Sequence, residues 1–184
     1  MSNKSLSRGT AMGHEIKVLV ISGSMGSGKT TVLAEASDLL AAADIPHAAI
    51  DLDALGLGHL PVGTTDELLA RNLAAVWRNY AAAGVTRLLL SEALDTDAKR
   101  AQLQGAIHEA TIVVCRLRAR LGTMEQRVRA RELGILQERF VARVAELEAA
   151  LDAGHAEDFS VQNDGRSITE VAREVLIRAG WLGT

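Results

Sequence analysis

Residues Gly23 to Thr30 read Gly-Ser-Met-Gly-Ser-Gly-Lys-Thr, matching Gly-x-x-x-x-Gly-Lys-Ser/Thr at every fixed position. No other stretch restricts the fold as tightly. The pattern works only as a loop between a strand and a helix, and both flanks comply. Ile16 to Ser22 is a short apolar run with β-branched residues, and Thr31 to Ala43 reads as a helix. A chain built on strand, glycine loop and helix is committed to an α/β architecture.

Each residue type in the loop has a physical task. Glycines let successive backbone N–H groups turn toward one point as an anion-binding nest, which side chains would obstruct. The following helix adds unpaired first-turn amides and the positive end of its dipole. The spacing therefore predicts a nucleoside triphosphate site formed by Gly23, Ser24, Met25, Gly26, Ser27, Gly28, Lys29, Thr30 and Thr31. Lys29 is expected on the β- and γ-phosphates, stabilising the moving phosphoryl group, and the Thr30 hydroxyl on Mg2+.

Strands and helices alternate through the rest of the chain. His47 to Ile50 reads as a second strand running into Asp51-Leu52-Asp53, and Gly56, Gly58, Pro61 and Gly63 mark a loop. Thr64 with Glu67 forms a capping box for a helix whose Leu69, Leu73, Val76, Trp77 and Tyr80 share one side, so Trp77 and Tyr80 are both expected in the core. Gly84 stops that helix. Thr86 to Ser91 is a third strand, Thr96 to His108 a helix, and Thr111 to Leu117 a fourth strand. Thr123 to Gln126 reads as a second capping box, opening a charged helical region to about Leu151 that Gly134 interrupts. A fifth strand, Asp158 to Val161, precedes a last helix capped by Ser167 and Glu170, with Val171, Val175 and Leu176 inward and Gly180 at its end. Strands alternating with helices imply a parallel sheet covered on both faces, with ligands at the carboxyl ends of the strands.

That rule selects the residues just after each strand. Asp51 and Asp53, read as i and i+2 of an extended segment, would point the same way, toward the phosphate loop. Phosphoryl transfer to a hydroxyl needs a carboxylate in the metal shell and another that orients the hydroxyl and takes its proton. Asp51 is the candidate metal residue with Thr30, and Asp53 the candidate base. Ser91 stands where a hydrolytic nucleotide switch carries a metal-binding Asp, and Glu92 follows as either a substrate contact or a surface charge. Six arginines lie between Arg116 and Arg131. Arg127 and Arg131 are four residues apart, and Arg131 projects into the stripe of Met124, Val128 and Ile135, so this pair is read as catalytic arginines of a lid facing the triphosphate. Asn163-Asp164-Gly165-Arg166 has the composition of a turn, with Arg166 expected to stack on the adenine.

Composition narrows the function class. A net charge of −3 with no basic tail excludes broad electrostatic attraction to nucleic acid. No apolar run is long enough to span a bilayer, and residues 1–14 read as a flexible leader before one domain, 15–184. A single cysteine, Cys115, within an apolar run, excludes an internal disulfide, reads as buried and inert, and fits a reducing, cytoplasmic setting.

Taken together, the loop of Gly23 to Thr30, Asp51 and Asp53, the turn Leu90-Ser91-Glu92-Ala93-Leu94, the arginines of Glu125 to Glu132 and the segment Val161 to Ala172 resemble the small P-loop kinases of metabolite hydroxyls. That group includes adenylylsulfate, gluconate and shikimate kinases and chloramphenicol phosphotransferase. The resemblance implies a three-layer α/β sandwich, with a five-stranded parallel sheet between helices and a short helical lid at about 118–134. It also implies an ATP- and Mg2+-dependent phosphotransferase acting on a small-molecule hydroxyl, as a monomer or homodimer, with no nucleic-acid or membrane partner. The alternative is an ATP-binding regulator or slow ATPase without an acceptor. Residues selecting the acceptor are expected in the loop Ala54 to Thr64 and near Arg71 and Arg78.

Overall fold

The computed structural model describes residues 15–56, 58 and 65–183. The leader at 1–14, Thr64 of the first capping box, and Pro61 and Gly63 lie outside the described residues. Five strands form one parallel sheet: β1 Ile16–Ser22, β2 Ala48–Asp51, β3 Arg87–Ser91, β4 Ala110–Arg118 and β5 Phe159–Gln162. Their order is β2-β3-β1-β4-β5, which puts the phosphate-loop strand at the centre. The helices are α1 Lys29–Ala42, α2 Leu52–Leu55, α3 Thr65–Ala82, α4 Asp97–Ala106, α5 Leu121–Arg131, α6 Gln137–Gly154 and α7 Ile168–Arg178.

Strand periodicity explains the three layers. Successive side chains of β1 point to opposite faces, and every one from Val18 to Ile21 is buried. Val18 and Val20 join Ile50, Leu88 and Leu90 in a core with Leu73 and Trp77 of α3 and Leu103 of α4. Leu19 and Ile21 join Leu89, Leu117 and Val161 in a second core under α1 and α7. Cys115 belongs to this second core, and burial pushes its thiol up to about 12, so it is an inert core residue.

A third, smaller core of Met124, Val128, Val141 and Val144 packs α5 on α6 and takes in Met25 of the phosphate loop. The α6 helix is tied to the sheet by Arg116, which is 1% exposed and paired to Glu148 at 2.6 Å, Asp152 at 2.9 Å and Glu157 at 3.6 Å. Arg116 sits inside β4, and the three carboxylates explain why a buried guanidinium is tolerated there. Arg118 shares Asp152 and Glu157.

Three local expectations are corrected. Tyr80 is 39% exposed, whereas Trp77 is buried at 6%. Tyr80 lies on the same side of α3 as Leu73 and Trp77, but in the helix's last turn and outside the core that covers Leu73 and Trp77. Thr123 does not cap a helix: α5 begins two residues earlier, and Asp164 Oδ2 accepts the Arg120 amide at 2.6 Å just before it. Ile135 lies beyond the end of α5, fully exposed, so the stripe stops at Val128. The last helix is as expected, with a reciprocal Ser167–Glu170 capping box and Gly180 at φ 70° after it.

Burial predicts different costs for the two aromatic residues of α3. Trp77→Ala is expected to lower unfolding stability by about 3–5 kcal/mol and Tyr80→Ala by less than about 1 kcal/mol, measured by urea titration. Equal losses would contradict the placement of α3.

Candidate functional site

The loop between β1 and α1 is held from three directions. Gly28, the N-cap of α1, has φ 99°, and Gly26 has φ 76°, backbone that L side chains rarely adopt. Crowding adds to this at Gly28, where a Cβ would lie 2.5 Å from Asn163 Nδ2. From α6, the Val144 carbonyl accepts the buried Ser24 hydroxyl at 2.9 Å. From the turn after β5, Asn163 Nδ2 donates to the Ser27 carbonyl at 2.6 Å. From α5, Arg127 donates to the Gly26 carbonyl at 3.1 Å and to the Asn163 carbonyl at 3.4 Å. Carbonyls are thus drawn outward, and the first-turn amides of α1 remain for an anion.

Within that curl, Lys29 Nζ donates to the Gly23 and Ser24 carbonyls at 3.0 and 3.3 Å. Burial pulls its ammonium below the usual lysine range, opposed by the charges of Asp53, Glu92 and Asp51. The Thr30 hydroxyl donates to Asp51 Oδ2 at 2.7 Å, and the other Asp51 oxygen accepts the Asp53 amide at 3.1 Å. The two aspartates are therefore not an extended pair. The chain turns into α2 at Leu52, with Asp51 as its N-cap and Asp53 in its first turn.

Two cavities meet at Asp53. One, of about 270 Å3, is lined by Ser24 to Gly26 and Gly28 to Thr31 of the loop and α1, by Asp53 and by Arg127, Val128 and Arg131 of α5. Arg127 and Arg131 thus do face the loop, and the Arg131 Nε lies 2.8 Å from Glu132. The other cavity, of about 310 Å3, lies beyond Asp53 among α2, α3 and α4. Thr65, Asp66, Leu69, Ala70 and Leu73 of α3 line it, as do Glu92, Lys99, Gln102, Leu103 and Arg143. Arg71 and Arg78 do not line it; both are exposed on α3, and Arg71 sits beside Glu67. Arg166 lines neither cavity. Its guanidinium pairs with Glu174 at 2.6 Å and reaches the Gln162 carbonyl at 3.3 Å, while its neighbour Asn163 reaches the loop.

Glu92 is the residue that sequence reading left undecided. It follows β3, its amide donates to the Ile21 carbonyl at 3.3 Å, and its side chain is turned into the second cavity. Burial lifts its carboxyl to about 7, and the Asp53 charge pushes the same way, against Lys99, the Ala93 amide and Lys29. Ser91, whose position faces Asp51 across the sheet, is buried with its hydroxyl unpartnered among the described residues.

The donor set beside the loop suits Mg2+. That ion keeps several waters and takes one or two carboxylates plus phosphate oxygens rather than a protein cage. Thr30 and Asp51 offer a hydroxyl and a carboxylate oxygen 2.7 Å apart, and among the described residues no group of three or more His, Cys, Asp and Glu side chains forms a cage.

The raised Glu92 carboxyl has a consequence for stability. Between its ordinary value of 4.5 and about 7 the folded chain holds a proton that the unfolded chain has lost, so stability falls as pH rises through this window. Glu92→Gln is predicted to remove up to about 3 kcal/mol of that fall, making unfolding midpoints between pH 5 and pH 8 more nearly equal than in the parent. An unchanged pH profile in the variant would show that Glu92 is not so desolvated.

Comparison with protein-family models finds no match, and comparison with curated proteins finds none either. Solved structures do match. The APS kinase of Mycobacterium tuberculosis, in complex with AMPPNP and APS, aligns over 89% of this chain and 96% of its own at 21% identity, with a TM-score of 0.64. A gluconokinase from Sinorhizobium meliloti 1021 aligns over 90% and 91% at 18% identity and 0.59. Shikimate kinase from Acinetobacter baumannii, in complex with shikimate, aligns over 92% and 96% at 16% identity and 0.56. Among the described residues no helix is long and apolar enough to cross a membrane. With its sheet order, its glycine loop and helices on both faces, the chain has the fold of the small P-loop metabolite kinases.

Proposed function

We propose that this chain is an ATP- and Mg2+-dependent kinase that phosphorylates a hydroxyl group of a small molecule. One observation carries the reading: Asp53 lines both the cavity of the phosphate loop and the cavity beyond it. A hydrolytic switch needs only the first of these. A phosphotransferase needs a donor site and an acceptor site that share a carboxylate.

Lys29 and the first-turn amides of α1 hold the β- and γ-phosphates, and Arg127 and Arg131 stabilise charge on the transferring oxygens. Thr30 and Asp51 are the residues that would hold Mg2+, and the chemistry it supplies there is neutralisation of the β- and γ-phosphate charge. Asp53 accepts a hydrogen bond from the acceptor hydroxyl and takes its proton. The acceptor oxygen forms its bond to the γ-phosphorus as the bond to the β–γ bridging oxygen breaks, so ADP leaves with that electron pair. Ser91 in place of an aspartate fits this division, because Asp51 already faces Thr30. Asn163 supports the loop, and Arg166, held by Glu174, is the residue proposed to stack on the adenine.

Two variants separate the roles. Asp53→Asn should keep nucleotide affinity while cutting turnover by roughly 10²-fold or more in a coupled ATP-consumption assay across hydroxylated metabolites. A near-normal kcat would remove Asp53 from the reaction. Lys29→Ala should weaken both ATP binding and rate, and unchanged ATP affinity by calorimetry would contradict the phosphate assignment.

A further inference from the structure

The cavity beyond Asp53 has a definite chemistry. Leu52, Leu69, Leu73 and Leu103 form its apolar wall, continuous with the core under α3 and α4. Three acidic residues from three elements line it: Asp53 of α2, Asp66 of α3 and Glu92 after β3. Two cations are present, and they are not equivalent. Lys99 is held by Asp95 at 3.0 Å and by the Ala93 carbonyl at 3.1 Å, so its charge is already balanced. Arg143 stands exposed on α6, at the rim.

Among the described residues the lining is therefore apolar with an excess of negative charge. Resting on the kinase reading above, we propose that the acceptor is an alcohol with an apolar body and no anionic group, seated on the leucine wall with its polar hydrogens directed at Asp53 and Glu92. Ionised carboxylates only accept hydrogen bonds, so they want hydroxyl or ammonium donors opposite them. A carboxylate or phosphate on the ligand brings no donor and meets like charge in a partly desolvated cavity, where repulsion within about 5 Å costs more than tenfold in affinity. The leucines add the complementary demand, because a strongly hydrated ligand gains nothing by covering them.

Three probes with one body test this: 3-phenylpropane-1,2-diol is uncharged, phenylalaninol carries an ammonium and 3-phenyllactate a carboxylate. Each is titrated calorimetrically into the full chain saturated with Mg2+ and a non-hydrolysable ATP analogue at pH 7.5. The diol and the amino alcohol are expected to bind roughly tenfold or more tightly than phenyllactate. In Glu92→Gln the gap should narrow through a gain in phenyllactate affinity. Phenyllactate binding as tightly as the diol overturns the proposal, and so does a loss of its affinity in Arg143→Ala, which would make Arg143 an anion receptor. Failure of all three to bind also overturns it. The bound alcohols are then incubated with ATP itself. Binding without phosphoryl transfer leaves the ligand class standing and removes the kinase reading instead.

Discussion

A loop that gathers backbone amides around one point is unstable unless its carbonyls find partners elsewhere, and that requirement organises this molecule. Buried peptide groups left unpaired are costly. The carbonyls of Gly26 and Ser27 are taken by Arg127 and Asn163, and the Ser24 hydroxyl is anchored on Val144. These partners come from α5, from the turn after β5 and from α6, all more than a hundred residues away in sequence. The C-terminal half of the chain thus works as the outer half of the phosphate loop. The buried Arg116 cluster serves the same end indirectly, because it fixes α6, and with it Val144, against β4.

The parallel sheet does the rest of the positioning. All five strands end on one side, so the ends of β1, β2 and β3 bring Lys29, Asp51 and Glu92 together without long connections. The turn into α2 then separates the two aspartates by role. Asp51 is tied to Thr30 and to the Asp53 amide, while Asp53 is left free to face both cavities. Desolvation tunes the charges on either side: it makes Lys29 less basic and Glu92 less acidic.

What could be read from residues alone follows the range of the interaction. The strand β1, the glycine loop's place between it and α1, and the Ser167 cap are local patterns legible from neighbouring residues, and they stand as expected. Helix faces were legible only to within one turn. Trp77 is buried and Tyr80 is not, although both fit the same apolar stripe. Arg127 and Arg131 were identified from their i, i+4 spacing and do line the loop cavity. Asn163 was seen only as a turn residue, because its bond to Ser27 spans 136 positions. Glu92 is ambiguous in sequence since its side chain direction depends on how the chain leaves β3, and the burial of Arg116 is not legible because nothing local announces three carboxylates from α6 and its C-terminal side. Arg71 and Arg78 were plausible acceptor contacts by proximity in sequence, but α3 turns Leu69 and Leu73 to the cavity instead. A signal was present in that leucine spacing, which marks the buried side of the helix.

The central claim is that the γ-phosphate leaves the loop across Asp53 into the second cavity and not to water. Incubation of the full chain with [γ-32P]ATP, Mg2+ and apolar-bodied alcohols, followed by separation of organic phosphate esters from inorganic phosphate, measures that partition directly. The account predicts label in an alcohol phosphate ester, appearing faster than inorganic phosphate and only when an alcohol is present. Label released solely as inorganic phosphate, at a rate indifferent to every alcohol, would contradict it.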